Sequence, residues 1–212
     1  FGDKEESLCG RNFLNASTGD FVERYHLKTL LSIYLGVALG DASGAPFEFH
    51  RGRGVEWPDG KLTVPLVMSG AGGVRGAPAG AITDDFQMTL LALRTLIANN
   101  MRYEPEAHIQ AYIDWASDHP GGIGRNTLAL FQHSKTVNKR LAFEKYRRVF
   151  DERHQSLAEC SKSNGTLMRA SAFVAIPDLD DAINAAITDA CLSNSNTINA
   201  FVNAIYVWIL HQ

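Results

Sequence analysis

Cysteine is scarce in this chain, with three among 212 residues: Cys9, Cys160 and Cys191. The odd number and the lack of a C-x-x-C spacing argue against a disulfide framework and a zinc ribbon, and point to a reduced, intracellular protein. Basic excess is missing too. Lys and Arg number 20 against 23 Asp and Glu, a formal net charge of −3, so a nucleic-acid partner is not expected. No apolar run approaches the ~20 residues of a membrane span. The stretch Phe1–Asp20 has no basic region followed by an apolar core, so no signal peptide is expected within it. The seven histidines (26, 50, 108, 119, 133, 154 and 211) are scattered without metal-ligand spacing, and no Ser-His-Asp or Cys-His arrangement can be assembled. What is abundant is apolar side chain, 45% of the residues. That is enough to offset the entropy of ordering, in one domain or a tight pair.

The apolar residues repeat with a period near 3.6, which predicts an all-α fold. Leu27, Leu30, Leu31, Tyr34, Val37 and Ala38 make one stripe, ending at Gly40. Met88, Leu91 and Thr95, widened by Leu90, Leu93 and Ile97, make a second that reads as buried over most of its circumference. A third runs from Pro105 through Ile109, Tyr112, Ile113 and Ala116, and a fourth starts near Asn126. Asp178, Asp180 and Asp181 head a fifth. The last carries Ile198, Phe201, Val202, Ile205, Trp208 and Ile209, with Asn194 or Ser195 as cap. Thr63–Met68 is a weak strand candidate broken by Pro65, inside a long irregular stretch from about His50 to Ala81.

Four polar segments could carry chemistry. Thr83-Asp84-Asp85 precedes an apolar helix. This is the pattern of a helix cap, and also of an oxygen-donor site for a hard metal. Gly36–Glu48 ends in Gly-Ala-Pro-Phe-Glu; Glu48, between Phe47 and Phe49, could have its proton affinity raised for acid/base work. Gly121–Thr127 and Ser163–Arg169 are glycine turns into helices. Each is either a plain capped start or a place where free N–H groups meet a phosphate, with Arg169 adding charge. Neither fits the P-loop or dinucleotide fingerprint.

Taken in order over about Leu30 to Leu210, these segments resemble the ADP-ribosylglycohydrolase family, which includes the dinitrogenase reductase-activating glycohydrolases and ADP-ribosyl-acceptor hydrolases. The resemblance implies an orthogonal helical bundle with two Mg²⁺ ions (Mn²⁺ as a substitute) in a cleft. Residues 1–24 would be an N-terminal extension and 25–212 the helical domain. Thr83, Asp84 and Asp85 would form the first half of the metal cluster, and Glu48 would match the family's glutamate near the metals. Gly122, Gly124, Asn126 and Thr127, with Asn164, Gly165, Thr166, Met168 and Arg169, would surround the ADP-ribose. The implied activity is cytoplasmic, Mg²⁺-dependent removal of ADP-ribose from a modified protein side chain or small acceptor. The alternative is an impaired ADP-ribose-binding or crystallin-like structural member of the same fold.

Three departures from the family pattern stand out. Phe86 replaces a second threonine after the two aspartates, and Leu192-Ser193-Asn194 replaces a Thr-His pair. The second metal-ligand set, Asp-x-Asp-Thr/Ser, is absent; Asp178-Leu179-Asp180-Asp181 has no following hydroxyl and comes too early. The expectation is an incomplete domain, with Gln212 a cut and a further segment or second chain supplying the remaining ligands.

Overall fold

In the computed structural model, residues 18–45, 80–118, 123–132, 138–154 and 161–212 are described. They form helices α1 (Thr18–Gly44), α2 (Asp84–Ala98), α3 (Pro105–Asp118), α4 (Arg125–Phe131), α5 (Lys139–His154), α6 (Leu167–Ala170), α7 (Leu179–Cys191) and α8 (Thr197–His211). A 3-10 turn, Ser171–Ala175, follows α6. No strand occurs among the described residues; Thr63–Met68 lies outside them. The all-α expectation holds, and no described helix is long and apolar enough to cross a membrane.

Two apolar clusters hold the bundle. Leu96 and Ala92 of α2 meet Phe173 and Val174 of the 3-10 turn, Ala182, Ala185 and Ala186 of α7, and Val207 of α8. Met88, from the other end of α2, joins Ile109, Tyr112 and Ile113 of α3, Leu130 and Phe131 of α4, and Ala142 and Tyr146 of α5. Helix α2 therefore threads both. Aromatic stacking reinforces the second cluster, with Phe131 and Tyr146 nearly parallel at 5.4 Å.

Helix α3 buries Ile109, Tyr112, Ile113 and Ala116, the face its periodicity predicts, and adds His108. Elsewhere the structure corrects the sequence reading. Helix α1 does not end at Gly40 but runs through Gly36 and Gly40 to Gly44. Its Leu30 and Ile33 pack on the core, whereas Leu27, Leu31, Leu35 and Leu39 are exposed. In α2 the buried line is Met88, Thr89, Ala92 and Leu96, and Ile97 is exposed. Helix α5 is absent from the sequence reading. Its apolar positions, Ala142, Phe143, Tyr146, Val149 and Phe150, are interleaved with Arg and Lys that mask the period.

The largest inversion is α8. Its apolar stripe, Ile198, Phe201, Val202, Ile205, Trp208 and Ile209, faces outward. The buried face is Asn199, Asn203 and Val207, and the cap is Asn196, which accepts from the Asn199 N–H at 2.9 Å. A polar inward face is stable because its amides are hydrogen-bonded. Asn203 donates to Thr166 Oγ1 at 2.8 Å, and Asn199 donates to the Ser161 and Ser163 carbonyls.

Candidate functional site

The head of α2 is built by three carboxylates and a hydroxyl. Thr83 is the cap, extended in backbone, with its Oγ1 accepting from Asp85 N–H at 3.4 Å. Asp41, near the end of α1, receives Thr83 Oγ1–H at 2.6 Å, Thr83 N–H at 2.8 Å and Phe86 N–H at 3.2 Å. One carboxylate thus satisfies two of the backbone donors that any helix start leaves open. Asp84 is buried and accepts from the Gly124 N–H at 3.4 Å. That contact ties α2 to the turn before α4. Asp85 stands at the rim with its proton affinity pushed up to about 6, first by desolvation, then by the charges of Asp84 and Asp41.

Two clefts open on either side of Asp85. The first, about 590 Å³, is lined by Asp84, Asp85, Gly124, Arg125, Asn126, Thr127, Arg153, Ser161, Ser163, Asn164, Gly165 and Met168. The second, about 540 Å³, lies between the end of α1 (Gly40, Asp41, Gly44), Thr83 and Tyr206, and shares Asp85, Asn164, Gly165 and Met168 with the first. The first cleft carries both signs of charge: carboxylates at the head of α2, and Arg125 and Arg153 on α4 and α5. Arg153 reaches Asn126 Oδ1 at 3.4 Å, and Asn126 in turn donates to the Ser193 carbonyl at 2.9 Å.

The loop before α6 is clamped from α7 and α8. Asn194 donates to the carbonyls of Ser161 and Ser163, Asn196 to Ser161 at 2.7 Å, and Asn199 to both. The spacing Asn194-x-Asn196-x-x-Asn199 is visible in the sequence as a run of amides. Only the fold shows that all three converge on one loop.

Most of the expected site residues gather at the first cleft: Asp84, Asp85, Gly124, Asn126, Thr127, Asn164, Gly165 and Met168 line it. Glu48 and Gly122 lie outside the described residues. Two expectations are corrected. Thr166 is buried behind the cleft and accepts from Asn203. Arg169 is wholly buried and ion-paired through Nε to Asp189, also buried. Its other donors go to the Gly165 carbonyl at 3.0 Å, the Asp189 carbonyl at 3.0 Å and Ser193 Oγ at 3.1 Å. A guanidinium so neutralised and enclosed is not offered to a ligand; it holds the loop by Gly165. The exposed cations at the cleft are Arg125 and Arg153, which sequence reading did not single out. Asp41, within the Gly36–Glu48 segment, is a further site residue that its sequence context does not mark.

A hard cation fits the donor chemistry at α2, which is oxygen throughout. The raised proton affinity of Asp85 comes first from desolvation and then from the neighbouring Asp84 and Asp41 charges, and a bound cation would offset both. The set is partial, however. Among the described residues no three His, Cys, Asp or Glu side chains are grouped to enclose a metal ion.

Comparisons with known proteins bear on the family and the fold. A family model described as ADP-ribosylglycohydrolase matches residues 26–212. A solved structure titled "ADP-ribosylglycohydrolase-related protein complex" superposes with a TM-score of 0.63 at 23% identity, over 89% of this chain. The match spans 56% of that protein's chain. No curated protein matches. With nearly the whole chain inside the family model, and the all-α fold shared, the chain belongs to the ADP-ribosylglycohydrolase family.

Proposed function

We propose that the chain forms the ADP-ribose cleft and one side of the cation site of a Mg²⁺-dependent hydrolase acting on ADP-ribosyl adducts. The observation that carries this reading is the mixed charge of the 590 Å³ cleft, which Asp84, Asp85, Arg125 and Arg153 all line. A nucleoside diphosphate linked to a ribose carries groups that suit both signs. Its diphosphate suits guanidinium forks, and its distal ribose carries the bond to be cut.

Thr83 Oγ1, Asp84 and Asp85 would hold Mg²⁺ or Mn²⁺, which when bound supplies Lewis-acid polarisation of oxygen and a more acidic water. The protein's own part is orientation. Asn126, fixed by Ser193, Asn194 and Arg153, lines the same cleft. Gly165, held through its carbonyl by Arg169, also lines it, without side-chain bulk. Binding the remote diphosphate helps set the anomeric carbon near the carboxylates, so that binding energy is used for orientation. Cleavage through an oxocarbenium-like transition state then needs negative charge beside the ribose, which Asp85 provides when ionised. Glu48 is proposed as a further acid/base or gating group.

A second reading, ADP-ribose binding without turnover, is favoured by the partial donor set among the described residues. The two are separated by Mg²⁺-dependent release of ADP-ribose from a modified protein. Release by the wild type, lost in Asp84→Ala and Asp85→Ala with helix content kept, supports the hydrolase. Tight ADP-ribose binding with no release under any cation supports the second reading. Full activity in both variants removes the cation assignment.

A further inference from the structure

We infer that Asp41 is a positioning residue for the proposed cation site, acting through the hydroxyl of Thr83. The inference rests on the cation reading of Thr83, Asp84 and Asp85 above. An ionised carboxylate only accepts hydrogen bonds, so the 2.6 Å contact between Asp41 Oδ1 and Thr83 Oγ1 has one direction. Thr83 donates. A hydroxyl has a single hydrogen, so with it committed to Asp41 the Thr83 oxygen is left as an acceptor only. It already accepts from the Asp85 N–H, and Thr83 and Asp85 both line the second cleft. A charge-assisted bond of this kind also leaves the donor oxygen richer in electron density, which suits it to a hard cation.

Helix capping alone does not explain both carboxylate oxygens. Oδ2 takes the backbone N–H groups of Thr83 and Phe86, which completes the cap. Oδ1 is reserved for the hydroxyl. The arrangement is tertiary, since Asp41 ends α1 and lies 42 positions before Thr83. Asp41→Asn separates the two roles. The amide oxygen can keep the backbone bonds, while the amide nitrogen must donate to Thr83 Oγ1 and turn the hydroxyl hydrogen outward, against a cation.

The test is Mn²⁺ binding by calorimetry on the full chain, alongside thermal melting. Asp41→Asn and Thr83→Val should each weaken Mn²⁺ about tenfold or more, the scale of losing a partner that orients a metal ligand. Thr83→Ser should stay near the wild type, and the Asp41→Asn/Thr83→Val pair should be no weaker than Thr83→Val alone. Mn²⁺ affinity unchanged in a folded Asp41→Asn overturns the inference and leaves the cation reading standing. Additive losses in the pair overturn it too. No Mn²⁺ binding by the wild type overturns the cation reading, and the inference with it. If Asp41→Asn melts far below the wild type, NMR of the wild type decides. A Thr83 hydroxyl proton protected from exchange supports the inference, and an unprotected one overturns it.

Discussion

Replacing Asp189 by Asn tests whether the loop beside the cleft is held by a buried charge. Arg169 and Asp189 have side-chain exposures of 0% and 1%, so neither charge can fall back on water. Asp189 Oδ2 takes the Arg169 Nε–H; Oδ1 takes the Tyr112 hydroxyl at 2.8 Å and the Tyr103 hydroxyl at 3.3 Å. The guanidinium also lies 5.0 Å over the Tyr112 ring. Removing one partner of such a pair leaves an uncompensated buried charge, at a cost of about 3–5 kcal/mol. In a domain of this size that corresponds to a fall in Tm of roughly 6–20 °C. Circular dichroism melts and urea titrations of wild type and variant read it directly. Arg169 also holds the Gly165 carbonyl, so ADP-ribose affinity should fall at temperatures where the variant is still folded. A loss below about 1 kcal/mol in Asp189→Asn would refute the reasoning, as the pair would then behave like a solvated one.

Arg153→Gln and Arg125→Gln should weaken ADP binding, and the loss should shrink at high salt, as screening of a guanidinium–phosphate contact requires; calorimetry at two ionic strengths checks it, and salt-independent losses count against the contact. The Asp85 carboxyl of the metal-free chain should titrate near 6 by NMR, and Asp84→Asn should move it down by removing one of the two raising charges. Its folded value lies above the unfolded one, so this group destabilises the fold above pH 6. Acidification through 6 towards 4 relieves that, and Mg²⁺ at neutral pH should do the same. An Asp85 midpoint near 4 would show the crowding to be absent. Asn194→Ala removes one of the amides that clamp Ser161 and Ser163. ADP-ribose affinity should drop with helix content unchanged, and unaltered affinity would show that the clamp is redundant.

The legible parts of this protein are those with local causes. Helix α3 could be read because its apolar residues repeat with the helical period and all point one way. The cap at Thr83 could be read because an oxygen two residues before an N–H is a local geometry. Helix α8 could be found but not oriented, since periodicity identifies a stripe without saying which side faces the core. There the stripe faces out and Asn199 and Asn203 face in, because loop 161–166 needs donors. Helix α5 escaped because charged residues dilute its apolar repeat.

The sequence by itself determined the helical class, the family, and which segments come to the cleft, since each depends on residue types in order along the chain. Tertiary structure alone decided what each charge does there. Arg169 is spent on Asp189, whereas Arg125 and Arg153 face the cleft, and Asp41 reaches across 42 positions to Thr83. Burial and pairing set the availability of a charge, and both depend on neighbours far away in the chain.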